Sequence, residues 1–298
     1  MPRFPNERTY NSRTQSPHQD HVRSPREHPA SDERESFSPS IRYPELDSYS
    51  QERVLYGSER NRYQLRQSEL YTMAEAGKFR AISLDDLEKY LYSGDRDRMH
   101  RELANLQKDG LVHQKSSRYP KTIRVVTLTR DGQKFMRQTF NDSPQEFYSG
   151  IKKVRELHHD TALYEMYQAK GREIEDSGGR IKRVILDYEL KRNINRELQR
   201  QKHLDRSEQA RIKEELSQKH AVPLVNGNFV VPDLRVEYED RDGNESRVDL
   251  EYLTETYRQG HISAKAQAGF ALYASHDQAA RLHRVLDQHQ IMSEILSL

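Results

Sequence analysis

Between Val222 and Ala274 the chain carries a strand–turn–strand–helix pattern that limits what its C-terminal half can become. Phe229 to Tyr238 is apolar and β-branched, with Pro232 near its start. Arg241-Asp242-Gly243-Asn244 follows, and Asp-Gly and Gly-Asn supply the positive-φ positions a hairpin turn demands. Arg247 to Tyr257 returns as a second strand. Ser263 to Ala274 then has small and apolar residues at helical spacing, with Ser263 as its cap.

Asp233 directly follows Pro232 in the first strand. Asp249 and Glu251 sit two apart in the second, so they share one of its faces. Antiparallel pairing brings that face beside Asp233. Carboxylates so gathered favour protonation unless a cation lies between them, and Mg²⁺ accepts such oxygen ligands together with water and substrate phosphate. The arrangement resembles the core of the PD-(D/E)xK nuclease superfamily. Pro232-Asp233 stands for the first half of that motif, and Asp249-Leu250-Glu251 or Glu251-Tyr252-Leu253 for the second. The lysine usual two residues after the second acid is replaced here by Glu251 or Leu253. Some members supply it from the following helix, where Lys265 lies. The resemblance implies Asp233, Glu251 and Lys265 as a catalytic set and Asp233, Asp249 and Glu251 as Mg²⁺ ligands. Three alternatives stay open: an active site, a nuclease fold that has lost its chemistry, and acids that merely solvate an exposed hairpin.

At 298 residues the chain allows about two domains. Charged residues make up 32% and apolar residues only 34%, which points to a disordered segment or long exposed helices. With no cysteine, disulfides, thiol catalysis and Cys-ligated zinc are excluded, in keeping with a cytoplasmic location. No apolar run approaches the ~20 residues of a membrane span, and the N-terminus lacks a signal-peptide core. Residues 1–60 are punctuated by proline and thin in aliphatic residues, so they are expected to form a disordered tail. Such a tail either is simply solvated or binds a protein partner; Tyr43, Leu46, Val54, Leu55 and Tyr56 mark a short docking segment.

Residues 61–141 carry the clearest local pattern. A helix is expected over Tyr63–Phe79, and a second after Ser83, its N-cap, with Leu84, Leu87, Tyr90 and Leu91 on one face. Asp95–Lys108 is a third helix with Met99, Leu103 and Leu106 inward. Leu111–Arg118 and Thr122–Thr129 are strands around Tyr119-Pro120-Lys121, and Thr129–Phe140 is a further helix. Helix, turn, helix and a two-stranded wing resemble a winged helix-turn-helix domain. Leu103 to Val112 is similar to that family's passage from recognition helix to wing, and Leu128-Thr129-Arg130-Asp131-Gly132 to its exit. Although the whole chain carries only +2, eleven Lys and Arg face five acids between Ser93 and Gln138. In such a domain Arg96, Arg98, His100, Arg101 and Asn105 would enter the major groove of double-stranded DNA, and Lys115, Arg118 and Lys121 would hold phosphates. The alternative is a wing domain used for protein contacts.

Residues 142–298 are expected to be the nuclease-like domain. Ile151–Lys170 reads as a helix. Its His158-His159-Asp160 suits core or helix-end histidines better than a metal site, since adjacent histidines diverge by about 100° on a helix. Ile181–Tyr188 reads as a strand, with Glu189 after it as a further candidate acid. Residues 191–220 read as one long charged helix, Arg281–Asp287 as a last strand and His289–Leu298 as a terminal helix. From residue 62 onward the chain resembles the replication-relaxation proteins of plasmids and other mobile elements. The expected fold is thus α+β to α/β: a winged helix-turn-helix and a restriction-endonuclease-like α/β domain behind a disordered tail. Two functions follow. One is a DNA-binding protein in replication or mobilisation with an inactive nuclease-like domain; the other is a Mg²⁺-dependent DNA endonuclease. A homodimer is a further open alternative.

Overall fold

The segment expected to open the first helix at Tyr63 is instead a strand. β1 (Val54–Ser58) and β2 (Asn61–Leu65) pair antiparallel, Val54 opposite Leu65. The computed structural model describes residues 52–58, 61–118, 122–254, 257, 259–288 and 293–298. The proline-punctuated tail through residue 51, with Tyr43 and Leu46, and Lys121, expected to hold a phosphate, lie outside them. Val54, Leu55 and Tyr56, assigned to the tail from sequence, belong to β1. The hairpin seats Tyr63 edge-on against Phe135, ring centroids 5.3 Å apart. Helix α1 (Gln67–Phe79) starts late because Glu69 turns back to accept the Arg66 N–H at 2.8 Å, satisfying a donor that a helix start leaves open.

β3 (Ile82–Ser83) leads into α2 (Leu84–Tyr90), and the Ser83 hydroxyl accepts the Asp86 N–H at 2.9 Å, as the sequence suggested. Helix α3 (Arg96–Lys108) is capped by Asp95 and buries Met99, Leu103 and Leu106. β4 (Val112–Ser117) and β5 (Ile123–Leu128) form the expected hairpin, and β3 joins the free edge of β5, so the order is β3-β5-β4, antiparallel throughout. Helix α4 (Arg130–Thr139) is capped by Thr129, whose hydroxyl accepts from Gly132 N and donates to Gly110 O at 2.7 Å. A Cβ on Gly132 would lie 2.0 Å from Leu111 O, so the first turn of α4 can press on the α3–β4 turn only through glycine.

The rest builds a second sheet. A 3₁₀ turn (Val154–Glu156) precedes α5 (Leu157–Asp176), which starts later than Ile151 and runs past Lys170. Then come β6 (Arg180–Leu186), α6 (Asp187–Arg200) and α7 (Arg206–His220). The single long charged helix is therefore two: Asp205 accepts N–H groups from Ser207 and Glu208 at 2.8 and 2.9 Å and starts a new helix there. β7 (Leu224–Val225) and β8 (Asn228–Phe229) form a small hairpin. The expected strand Phe229–Tyr238 is split near Pro232, which has no N–H to give a ladder, and β9 (Leu234–Glu239) resumes after it. β10 (Glu245–Leu253) is the expected returning strand, but it starts before Arg247 and ends at Leu253, leaving Tyr257 outside it.

Three C-terminal assignments change. The helix expected over Ser263–Ala274 is α8 (Gln259–Gln267); Gly269, at φ +77°, turns the chain, and Ala271–Ala274 is strand β11. Arg281–Asp287 lies in helix α9 (His276–Gln288), not a strand. In place of a terminal helix, Ile295–Ser297 is strand β12, with residues 289–292 outside the described set. Short apolar runs cannot declare helix or strand by themselves, and here the neighbouring strands decide.

The sheet order is β12-β11-β10-β9-β6. β6, β9 and β10 are antiparallel, whereas β10, β11 and β12 are parallel. Parallel neighbours need crossovers, which α8 and α9 supply. The fold of the described residues is mixed α+β. Helix α5 joins its halves, packing on α1, α2 and β3 and on β6, β9 and β10. Phe79 from α1 meets Tyr164 and Tyr167 of α5 at 5.2 and 5.0 Å. Gln145 then pairs both ends of its amide with the Val184 backbone, each bond 2.9 Å, on the edge of β6. Among the described residues no helix is long and apolar enough to cross a membrane.

Candidate functional site

The turn between β9 and β10 sets what meets across them. Asp240 accepts the N–H groups of Asp242 and Asn244 at 2.9 Å each, and from that tight turn the register runs Glu239 to Glu245, Arg235 to Asp249 and Leu234 to Leu250. Asp233, one step beyond, faces Glu251, and its N–H donates to Glu251 Oε2 at 3.1 Å. Glu251 is fully buried. Its Oε1 receives Lys265 Nζ of α8 at 2.6 Å and the Tyr257 hydroxyl at 2.7 Å. Lys265 also donates to Val231 O at 2.8 Å. Asp233 Oδ2 accepts the Tyr252 N–H at 3.0 Å and lies 3.2 Å from His159 Nε2 of α5. The structure thus brings Asp233, Glu251 and Lys265 together, and adds His159 and Tyr257.

The electrostatics follow from burial and these partners. Burial, then the Asp233 charge, push the Glu251 carboxyl up to about 7 against the pull of Lys265 and Tyr257. Burial would also raise Asp233, but His159, the Tyr252 amide and Lys265 hold it below the usual carboxylate range. Burial would lower His159, yet the Asp160 and Asp233 carboxylates outweigh it and push it up to about 10. His159 is therefore an imidazolium at neutral pH, an internal counter-ion to Asp233. The Tyr257 hydroxyl is raised by burial and by both acids.

Asp249 does not join this group. Its carboxylate is gripped by Arg235, Nε to Oδ1 at 2.7 Å and Nη2 to Oδ2 at 2.9 Å. Arg235 is only 2% exposed and also donates to His220 O and Ala221 O, which ties down the end of α7. Glu189 is also elsewhere, buried beside Arg183 and accepting the Tyr148 hydroxyl at 3.0 Å. Mg²⁺ requires open carboxylate oxygens facing a common space. Here both oxygens of Glu251 and Oδ2 of Asp233 are engaged by donors of the chain, and Asp249 belongs to Arg235. As arranged, this donor set does not fit Mg²⁺; Lys265 and His159 supply the positive charge the acids need. Among the described residues no group of three His, Asp or Glu side chains is arranged to hold a metal.

Two buried acids, Glu69 of α1 and Glu102 of α3, capture several of the α3 side chains assigned to DNA from sequence. Arg98 Nε donates to Glu102 Oε1 at 3.0 Å, and Asn105 Nδ2 to Glu69 Oε1 at 3.1 Å. Arg96 bonds Glu88 at 2.7 Å. His100 is half-buried. Arg101 stays exposed with no carboxylate partner among the described residues, as does Lys108 two turns on. Side chains alternate across the β4–β5 hairpin, and Gln114 donates to Gln107 of α3 at 3.0 Å, which marks the α3 side. Arg124, opposite Ser116, shares that side; Lys115, opposite Val125, lies on the other. Arg118 is exposed beyond the end of β4. Lys115 and Arg124 thus point to opposite faces, and Arg124 is a functional candidate the sequence assignment left out.

Comparison with protein-family models, characterised proteins and solved structures returns no match.

Two measurements check this site. Asp249→Ala leaves the Arg235 guanidinium buried without its partner, so the unfolding free energy should fall by about 3–5 kcal/mol in denaturant titration. A metal-ligand role for Asp249 predicts the opposite in chelator, because deleting one of several crowded acids would relieve repulsion. The second is a pH profile. Since the folded-state value of Glu251 lies above its ordinary 4.5, the stability it contributes is full below about 4.5 and is lost as pH rises through about 7. His159 has the same sign at higher pH, its contribution full below 6.5 and lost through about 10, and Asp233 the opposite sign in acid. Glu251→Gln should therefore gain on the wild type in unfolding free energy between pH 4.5 and about 7 and run parallel above.

Proposed function

We propose that this chain is a DNA-binding protein whose residues 61–141 form a winged helix-turn-helix and whose C-terminal region is a restriction-endonuclease-like domain with a self-neutralised site. The order α1-β3-α2-α3-β4-β5 with sheet order β3-β5-β4 supports the first part. The antiparallel β6-β9-β10 run followed by α8 and β11, with β11 parallel to β10, supports the second; α6, α7 and the β7–β8 hairpin stand between β6 and β9 in the chain. The observation that carries the functional reading is the outer face of α3. Arg101, Ala104 and Lys108 form an exposed strip there, Asp97 is the acid at its start, and Arg124 stands on the same side of the hairpin. An exposed helix with unpaired cations and a basic hairpin beside it suits the major groove and its flanking phosphates. The resemblance to replication-relaxation proteins supports a role in replication or mobilisation of a plasmid or other mobile element. Duplex affinity should fall steeply with salt, and Arg101→Ala/Lys108→Ala/Arg124→Ala should flatten the log–log slope by about 3. Lys115→Ala alone should leave it unchanged. A triple variant with the wild-type slope and affinity would remove α3 from the interface.

A Mg²⁺-dependent endonuclease is the second reading. The convergence of Asp233, Glu251 and Lys265 favours it, and the donor set speaks against it. Supercoiled plasmid incubated with Mg²⁺ or Mn²⁺ decides between them. The first reading expects no nicking, and nicking that Asp233→Ala, Lys265→Met and a chelator each abolish would establish the second.

A further inference from the structure

Away from α3 and from the Asp233–Glu251 pair, cations gather around an exposed aromatic ring in the seam between the two halves. Tyr188, in the first turn of α6, is 39% exposed. Lys152 Nζ stands 3.5 Å from its ring centroid, the Arg80 guanidinium 5.4 Å and the Arg192 guanidinium 5.7 Å. Tyr148 meets it edge-on at 6.4 Å and also carries Arg80 over its own ring at 5.6 Å.

The nearby acids are already committed. Glu189 is held by Arg183 and Tyr148, Asp187 by Lys191 at 2.7 Å, and Glu146 by both terminal nitrogens of Arg192. Arg80 and Lys152 have no carboxylate partner among the described residues. Arg80 is the more telling of the two. It follows the last residue of α1 at φ +65°, a left-handed conformation costly for a side chain of its size, and its Nε is buried with no hydrogen-bond partner. Arg192 Nε is buried and unpartnered too. Strained backbone, orphaned donors and unpaired cations around an aromatic face together describe a receptor for a group that is both anionic and flat.

We propose that Tyr188, Arg80 and Lys152 bind one nucleotide unit of a single-stranded DNA, the base on the tyrosine ring and its phosphate on the two cations that no carboxylate holds. Base stacking on tyrosine is tolerant of sequence, and guanidinium and ammonium groups serve the phosphates. Lys152 is exposed, and its flexible stem can carry the ammonium from the ring face to a phosphate. A strand rather than a free nucleotide is proposed because the Asp187 N–H, next to Tyr188 in the chain, donates to Asp233 O at 3.1 Å, which sets the backbone that carries the tyrosine beside that of the nuclease-like site. The site goes beyond duplex recognition by α3 and does not depend on it.

The test is fluorescence anisotropy of the full chain with a fluorescein-labelled oligothymidine, with thymidine monophosphate and inorganic phosphate as competitors. Wild type should bind the oligonucleotide, Tyr188→Ala should weaken it roughly tenfold, and Tyr188→Phe should retain it. Lys152→Ala should reduce the salt slope by about 0.7. Duplex binding is measured on the same variants, and wild-type duplex affinity in Tyr188→Ala shows that the two readings fail or hold separately. Tyr188 and Lys152 are exposed, and a matching thermal midpoint confirms that each variant folds. No binding by wild type, equal binding by Tyr188→Ala, or competition by the monophosphate at the oligonucleotide's own concentration would each overturn the proposal.

Discussion

Buried carboxylates that must be neutralised from outside their own strands hold this fold together. Asp233 and Glu251 face each other at the start of β9 and the end of β10, and neither can stay charged in a dry sheet without a counter-ion. His159 comes from α5 on one side and Lys265 from α8 on the other. Each ion pair therefore fastens a helix to the sheet. Arg235 does the same for α7, reaching Asp249 with one part of its guanidinium and the last carbonyls of that helix with the rest. Helix α5, so fastened, carries Tyr164 and Tyr167 to Phe79, and through them positions α1 and the helices beyond it.

The same economy governs the surface of α3. Glu69 of α1 and Glu102 on the inner face of α3 are buried and must be satisfied, so Arg98 and Asn105 turn inward and Tyr92 donates its hydroxyl to Glu102 at 2.9 Å. Arg101 and Lys108 are left for solvent or for a ligand. Which cations are available is thus decided by which acids are buried, and the count of basic residues along the helix says little about it.

Much of the fold was legible in local chemistry. Ser83, Asp95 and Thr129 announce their helices as N-caps, and Asp242-Gly243 announces the hairpin. With the tight turn centred on Asp242, counting outward sets Arg235 opposite Asp249 and Asp233 opposite Glu251, so the separation of Asp249 from the other two acids follows from register. The C-terminal elements were not legible in this way. Ala271–Ala274 and Arg281–Asp287 are short and apolar on one side, a pattern that serves helix or strand, and only their packing on β10 and β11 chooses.

The sequence by itself determined the capped helices α2 to α4, the hairpin register and the presence of two acids near a lysine-bearing helix, because caps, turns and alternation act over a few residues. Tertiary structure alone decided that His159 neutralises Asp233 and that Arg80 and Lys152 meet around Tyr188. Each of those contacts joins residues distant in the chain, and their energies depend on burial and distance, which no local pattern encodes.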